Sequence, residues 1–314
     1  MYGASFYQQL DPESGNRQSQ QFKTEFTQIM FAAGDSTDPS EVCVSLLGDV
    51  VYMGMCQLVS DAQRTCDGNT LDVQHVLYAI RHHLLLIRRL TLYMRDKDNA
   101  TSVIAYTNNV EQTKDKQVNE NELDNDEETK QACANVSAVA GGGFNTKRVR
   151  QIRDALAQFD ATGELWHYAT DTNMVDGVKD KRSRRMAEFC SGLNVDDHNR
   201  FSVARTVMFC PKVGLKVITK KFCDWLFAGE SPCADGPSPS PFCIEVLSYL
   251  AKQMSLTVLD VALTIRDESA PTQLSNAPKY PLKEWHIREA HRRLEYSRLQ
   301  PLCDHPPNRH NLFL

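Results

Sequence analysis

Two stretches of this sequence are apolar on more than one helical face, and neither can be buried by the short segments beside it. The first follows Pro39. Ser40 stands as an N-cap, and from Glu41 to about Cys66 nothing interrupts a helix of about 39 Å, at 1.5 Å per residue. Leu46, Val50 and Met53 line one side of it, and Leu47, Val51, Leu58 and Ala62 a neighbouring side. In the second stretch Ile244, Leu247, Ala251, Met254, Val258, Val261 and Ile265 recur at steps of three and four, a seam for packing against another long helix. Val246, Leu250, Leu259 and Leu263 widen that seam beyond a simple coiled coil. An apolar surface this broad has to face a partner of the same kind.

Shorter helices flank each long one. Ahead of the first, QFKTEFTQIMFAAG sets Phe22, Phe26, Ile29 and Met30 on one face, and Gly34 with the polar GDSTDP stops it. Behind it DGNTLD breaks the chain, and VQHVLYAIRHH forms a shorter helix that LLLIRRLTLYM extends, with Arg88 and Arg89 on the wet side. Around the second long helix, RTVMFCPKVGLKVITKKFCDWL supplies an opening helix with Pro211 in its first turn and Val213, Val217, Ile218 and Phe222 as its apolar residues. GESPCADGPSPSP is a loop, and PLKEWHIREAHRRLE closes the block with Ile287, Ala290 and Leu294 inward.

Short, long, short, twice over, is the layout of the histone fold. The expected fold class is all-α: two histone folds in one chain forming an intramolecular heterodimer-like pair, joined by an acidic flexible linker. Its pairing core is Leu46, Leu47, Val50, Val51 and Leu58 from the first fold and Ile244, Leu247, Ala251, Met254, Val258, Val261 and Ile265 from the second. Two half-folds awaiting outside partners are the alternative.

The expected organisation is a disordered N-terminus over 1–19, a histone fold over 20–95, a flexible linker over 96–145, a helical connecting segment over 146–204, a second histone fold over 205–296 and a tail over 297–314. The linker carries NENELDNDEET and Gly141–Gly143, too polar to repay its ordering entropy. Some fifty flexible residues reach about 40 Å root-mean-square, enough for the second fold to return to the first.

A net charge of −5 has the wrong sign for a protein that works by neutralising DNA phosphates. This excludes a histone-like DNA-packaging role as the first reading and leaves DNA contact weak or indirect. The strongest basic run, KDKRSRRM, offers Lys181, Arg182, Arg184 and Arg185 as a nuclear-import signal or phosphate contact, with a solvated helix face as the alternative. The ten cysteines form no CxxC pair and read as small buried hydrophobes in a reducing compartment. His167, His198, Cys210 and Cys223 have catalytic chemistry, but no local motif frames them, and Trp166, Trp225 and Trp285 fit core or interface anchors better than a cofactor box. No enzyme, cofactor, metal or small-molecule substrate is expected. Met1 to Asn16 is polar, and no eighteen apolar residues run together, so neither a leader nor a membrane contact is expected.

EFTQIMFAAGD with Pro39, the long helix, and IRHHLLLIRRLTLYMRDKD resemble the histone fold of TATA-box-binding-protein-associated factor thirteen. They resemble equally the N-terminal fold of the SAGA-complex transcription initiation subunits of the suppressor-of-Ty series, third member. RTVMFCPKVGLKVI and PLKEWHIREAHRRLE resemble the opening and closing helices of associated factor eleven. The fusion of both types, with FDATGELWHYA between them, is the order of the suppressor-of-Ty subunit. The resemblance implies a non-catalytic, nuclear coactivator subunit. Its partners would be the TATA-box-binding protein, which it helps deliver to RNA polymerase II promoters, and other SAGA histone-fold and scaffold subunits. A histone-fold subunit of TFIID is the alternative. The family places an arginine in the second loop of the first fold and an aspartate at the end of the following helix as a clamp. Here those positions hold Asn69 and His83.

Overall fold

A computed structural model describes residues 20–114, 143–213, 216–229, 231–269 and 280–299. Among them the fold is all-α. In chain order the elements are α1 (Lys23–Ala33), α2 (Glu41–Gln63), β1 (Thr70–Leu71), α3 (Val73–Ala79), α4 (Leu84–Lys114), α5 (Lys147–Leu156), α6 (Glu164–Thr170) and α7 (Gly177–Ser191). Then come α8 (Val195–Thr206), β2 (Lys212–Val213), β3 (Lys216–Val217), α9 (Lys220–Phe227), β4 (Ser238–Pro239), α10 (Pro241–Ser269) and α11 (Glu284–Leu299). The chain divides into two compact units, Met1–His83 with Met174–Leu314, and Leu84–Asn173.

The larger unit contains both histone folds, α1–α2–α3 and α9–α10–α11, and they are paired with each other. The long helix α10 packs on α1, α2 and α3 of the first fold, while α2 receives α9 and α11 of the second. Leu46, Leu47, Val50, Val51 and Leu58 are buried, as are Ile244, Leu247, Ala251, Met254, Val258 and Ile265. Val261 departs from the expected seam: it is half-buried and lines a surface cleft beside α7. By length and composition α2 and α10 would each cross a membrane, yet most of each apolar window is buried inside the fold.

At the start of α1 the pair is closed by aromatic rings from Phe209 and α9. Phe22 meets Phe209 and Trp225 edge-on, with centroids 5.1 and 5.3 Å away, and Phe209 stacks on Trp225 at 6.0 Å. Offset and edge-on rings of this kind add about 0.5–1.5 kcal/mol each beyond burial. The opening helix of the second fold starts later than Pro211 suggests. Lys212–Val213 pairs antiparallel with Lys216–Val217, the Ile218 amide donates to the Pro211 carbonyl at 2.9 Å, and the helix begins only at Lys220. Valines at 213 and 217 suit extended backbone better than a first helical turn.

Helices α7 and α8 belong to this unit and are packed elements in it. Phe31 and Ala32 of α1 bury against Phe201 and Ala204 of α8, with Met186, Phe189 and Leu193 around them. Gly34 ends α1 at φ +96°, a left-handed conformation that costs any side chain strain, and the Phe189 Cβ lies 3.6 Å from where its own Cβ would stand. Lys252 of α10 donates to the carbonyls of Arg205 and Val207, 3.0 and 2.7 Å away, and so caps α8. Burial pushes that ammonium down to about 8.

In the smaller unit α5 and α6 pack on α4 and on each other. The expected single helix from Val73 through Met94 is interrupted: α3 stops at Ala79, Arg81 folds back to donate to the Tyr78 carbonyl at 2.7 Å, and α4 starts at Leu84. Arg88 and Arg89 are buried, not on a wet side. The Arg88 Nε donates at 2.9 Å to the carbonyl of Asp171, the C-cap of α6, where a cation is favoured. The linker does not begin at residue 96 either, because α4 continues to Lys114. Asp98 on it accepts the Arg148 amide at 2.8 Å and pairs with the Arg148 guanidinium, so it caps the N-terminus of α5. Residues 1–19, 115–142 and 300–314, which hold the expected disordered N-terminus, most of the linker and most of the tail, lie outside the described residues.

Met254 is 1% exposed at the centre of α10. Met254→Asp places a carboxylate where no water reaches, costing about 4 kcal/mol or more against a typical total of about 5–15. The expected result is loss of the cooperative thermal transition by circular dichroism. A variant that melts like the parent would mean that the long helices do not cross through this residue.

Candidate protein-interaction site

A histone-fold pair places its loops in two junctions, one at each end, and here the two are built differently. At one end the second loop of the first fold meets the first loop of the second fold as a short parallel ladder. Thr70 stands opposite Ser238 and Leu71 opposite Pro239. The Ser238 and Ser240 amides donate to the Asn69 and Leu71 carbonyls at 3.2 and 3.0 Å. Asn69 is exposed and acts through its main chain, and His83 is buried with its amide on the Ile80 carbonyl at 2.8 Å. Main-chain pairing holds this loop, and Asn69 and His83 stand where the resemblance implies an arginine–aspartate clamp.

The other end is held by buried charge. The carboxylate of Asp35, just past α1, accepts the Leu282 amide at 2.6 Å and stands 3.7 Å from the Arg266 guanidinium of α10. Arg266 also donates to the Asp35 and Tyr280 carbonyls, and the Cys43 thiol to that of Leu282. Burial outweighs these favourable contacts and pushes the Asp35 carboxyl up to about 6. Each fold then opens its last helix with the same device. His75 Nδ1 accepts the Asp72 amide at 3.1 Å, and His286 Nδ1 accepts the Lys283 amide at 2.8 Å. Burial of His286 depresses its pKa, in keeping with an Nδ1 that accepts a hydrogen bond.

The expected import candidates Lys181, Arg182, Arg184 and Arg185 all lie on α7, but they are not four free cations. Arg182 and Arg185 both bind the carboxylate of Asp260 on α10, Arg182 through its Nε at 2.9 Å, and Arg185 also donates to the Ala33 carbonyl at 3.1 Å. Lys181 and Arg184 remain exposed. The residues that sequence reading missed are therefore Asp35, Asp260 and Arg266. The available signal for Asp260 is an acid set among Val258, Leu259, Val261 and Ala262, while Arg266, followed directly by Asp267 and Glu268, has no such signal.

Of the residues with catalytic chemistry, His198 lies with Nδ1 3.2 Å from the Cys190 sulfur, not against Cys210 or Cys223. The Cys210 amide donates to the Ser248 hydroxyl. His167 is exposed on α6. Trp225 is a core anchor, Trp166 meets Phe144 edge-on, and Trp285 is 46% exposed. Among the described residues no three potential metal ligands cluster and no disulfide joins the cysteines.

Asp260 holds two arginines that are themselves nearly buried. Asp260→Ala leaves both cations unpaired, at a cost of about 2–3 kcal/mol given that the site is not fully dry. Trypsin is expected to cut faster at Lys181 and Arg184, with the parent's cleavage rate as the contrary result. Asp35 makes a pH prediction. Its folded pKa lies above the unfolded value of about 3.9, so its stabilising contribution is full below that value and lost as pH rises through about 6. Asp35→Asn removes this loss, so the variant's stability deficit should shrink by about 2 kcal/mol between pH 4 and pH 7. Parallel melting curves with a constant gap would contradict the assignment.

Residues 20–108, which include α1 to α3 and most of α4, match the family model of the transcription initiation factor IID, 18 kD subunit. No curated protein matches the chain. The matched segment covers less than a third of the 314 residues and supports a histone-fold subunit of transcription-initiation type.

Proposed function

We propose that this chain is a non-catalytic, nuclear subunit of a SAGA-type transcription coactivator that binds the TATA-box-binding protein and helps deliver it to RNA polymerase II promoters. One observation carries the reading: a first fold of transcription-factor type is paired, within the same chain, with a second histone fold. A subunit that supplies its own pairing partner enters an assembly as a preformed body and offers its outer surfaces to other chains. Catalysis plays no part in this reading, which rests on differential binding: the pair is rigid, and assembly sets which of its surfaces are free.

The fused order of the folds favours SAGA, because it resembles the suppressor-of-Ty subunit in both halves. Membership of TFIID is the second reading, favoured by the name of the family that the first fold matches. A net charge of −5, with Arg182 and Arg185 consumed by Asp260, speaks against duplex packaging.

Affinity purification of the tagged chain from nuclear extract, read by mass spectrometry, tests the proposal. Acetyltransferase and histone-fold coactivator subunits with some TATA-box-binding protein are the expected company. TFIID subunits alone would move the chain to the second reading, and core histones with DNA would overturn both.

A further inference from the structure

A cleft lies between α7 and α10. Val178, Thr257, Val261 and Thr264 contribute to it, with Lys181, Arg182, Arg185 and Asp260 among them, and it encloses about 230 Å³. Four features bear on what it takes. The interior is apolar, since the Thr257 and Thr264 hydroxyls donate back to their own helix at Gln253 and Asp260. Val261 is the residue of the long seam that is not buried by the pairing of the two folds. Three cations face one carboxylate, and that carboxylate is fully engaged by Arg182 and Arg185. Lys181 has no ion-pair partner among the described residues, so the cleft keeps a positive rim.

We propose that this cleft docks a short acidic segment of a partner protein, inserting one large apolar side chain against Val178 and Val261 while a flanking carboxylate meets Lys181 on the rim. The volume falls below the roughly 300–1,000 Å³ of small-molecule sites and suits a single side chain. Charge complementarity selects an acidic segment over a basic one, and the apolar interior selects a peptide over a nucleic-acid duplex, whose bases are already paired and stacked. The site stands independently of which coactivator the chain joins.

Fluorescence anisotropy on the full chain at physiological salt tests this with a labelled, amidated peptide of aspartates and glutamates around one central leucine. Saturable binding is expected. Replacing the leucine by serine should weaken it at least tenfold, as should Lys181→Glu, which removes the rim charge, or Thr264→Tyr, which fills the cleft from an exposed position. Lys220→Glu, on the remote helix α9, should change nothing, and all three variants should melt like the parent. The proposal is overturned if the peptide does not bind, if the serine peptide binds equally, if neither cleft variant weakens it, or if a DNA duplex displaces it at equal charge.

Discussion

Everything in the larger unit depends on the crossing of α2 and α10. Each is apolar on more than one side, and neither has enough apolar surface within its own fold to cover it. Leu47, Val51, Leu247, Met254 and Val258 are almost wholly withdrawn from water only because the two folds meet. At about 1.5–3 kcal/mol per fully buried aliphatic side chain, a handful of such residues equals the net stability of a domain. Carrying both folds on one chain changes the character of that pairing. It becomes intramolecular, with an effective concentration set by the connecting segments and not by the abundance of a second protein.

Burial of apolar faces fixes that the folds pair, but it is poorly directional, and the loop junctions supply direction. One end uses a parallel ladder between Thr70–Leu71 and Ser238–Pro239. The other sets Asp35 against Arg266 and the Leu282 amide. A reversed arrangement would leave a buried carboxylate and a buried guanidinium without partners, which costs far more than a displaced aliphatic contact. The unlike ends thus specify one orientation for two folds of similar outline. The shared histidine device at His75 and His286 shows how alike the folds are where such specificity is not needed.

The long helices and their flanking short ones were legible in the sequence because period and length speak for themselves over twenty or more residues. What was not legible is whatever depends on a residue far away in the chain. Val261 continues the seam, yet nothing local says that its side of α10 meets α7. Arg182 and Arg185 read as a solvated basic run because their partner, Asp260, is in another helix. Arg88 reads as exposed because the carbonyl it caps belongs to Asp171. The extent of α4 was missed for the same reason: beyond Met94 the chain turns polar, and Asp98 is informative only once the N-terminus of α5 is seen against it. Around Pro211 two local signals compete: the proline suits a first helical turn, but Val213 and Val217 favour the extended backbone that forms.

These distant pairings bear on how charge is read for function. A basic run counted from sequence offers four cations to an import receptor or a phosphate backbone, but two of them are committed to Asp260, and one of those also holds the end of α1 through the Ala33 carbonyl. Their work is to dock α7 on α10. Removing them from the account weakens the case for nucleic acid at this surface, and it leaves Lys181 beside an apolar cleft, a combination that matches a peptide better than a polyanion. The chain's negative total and its most basic helix therefore point the same way, toward protein partners.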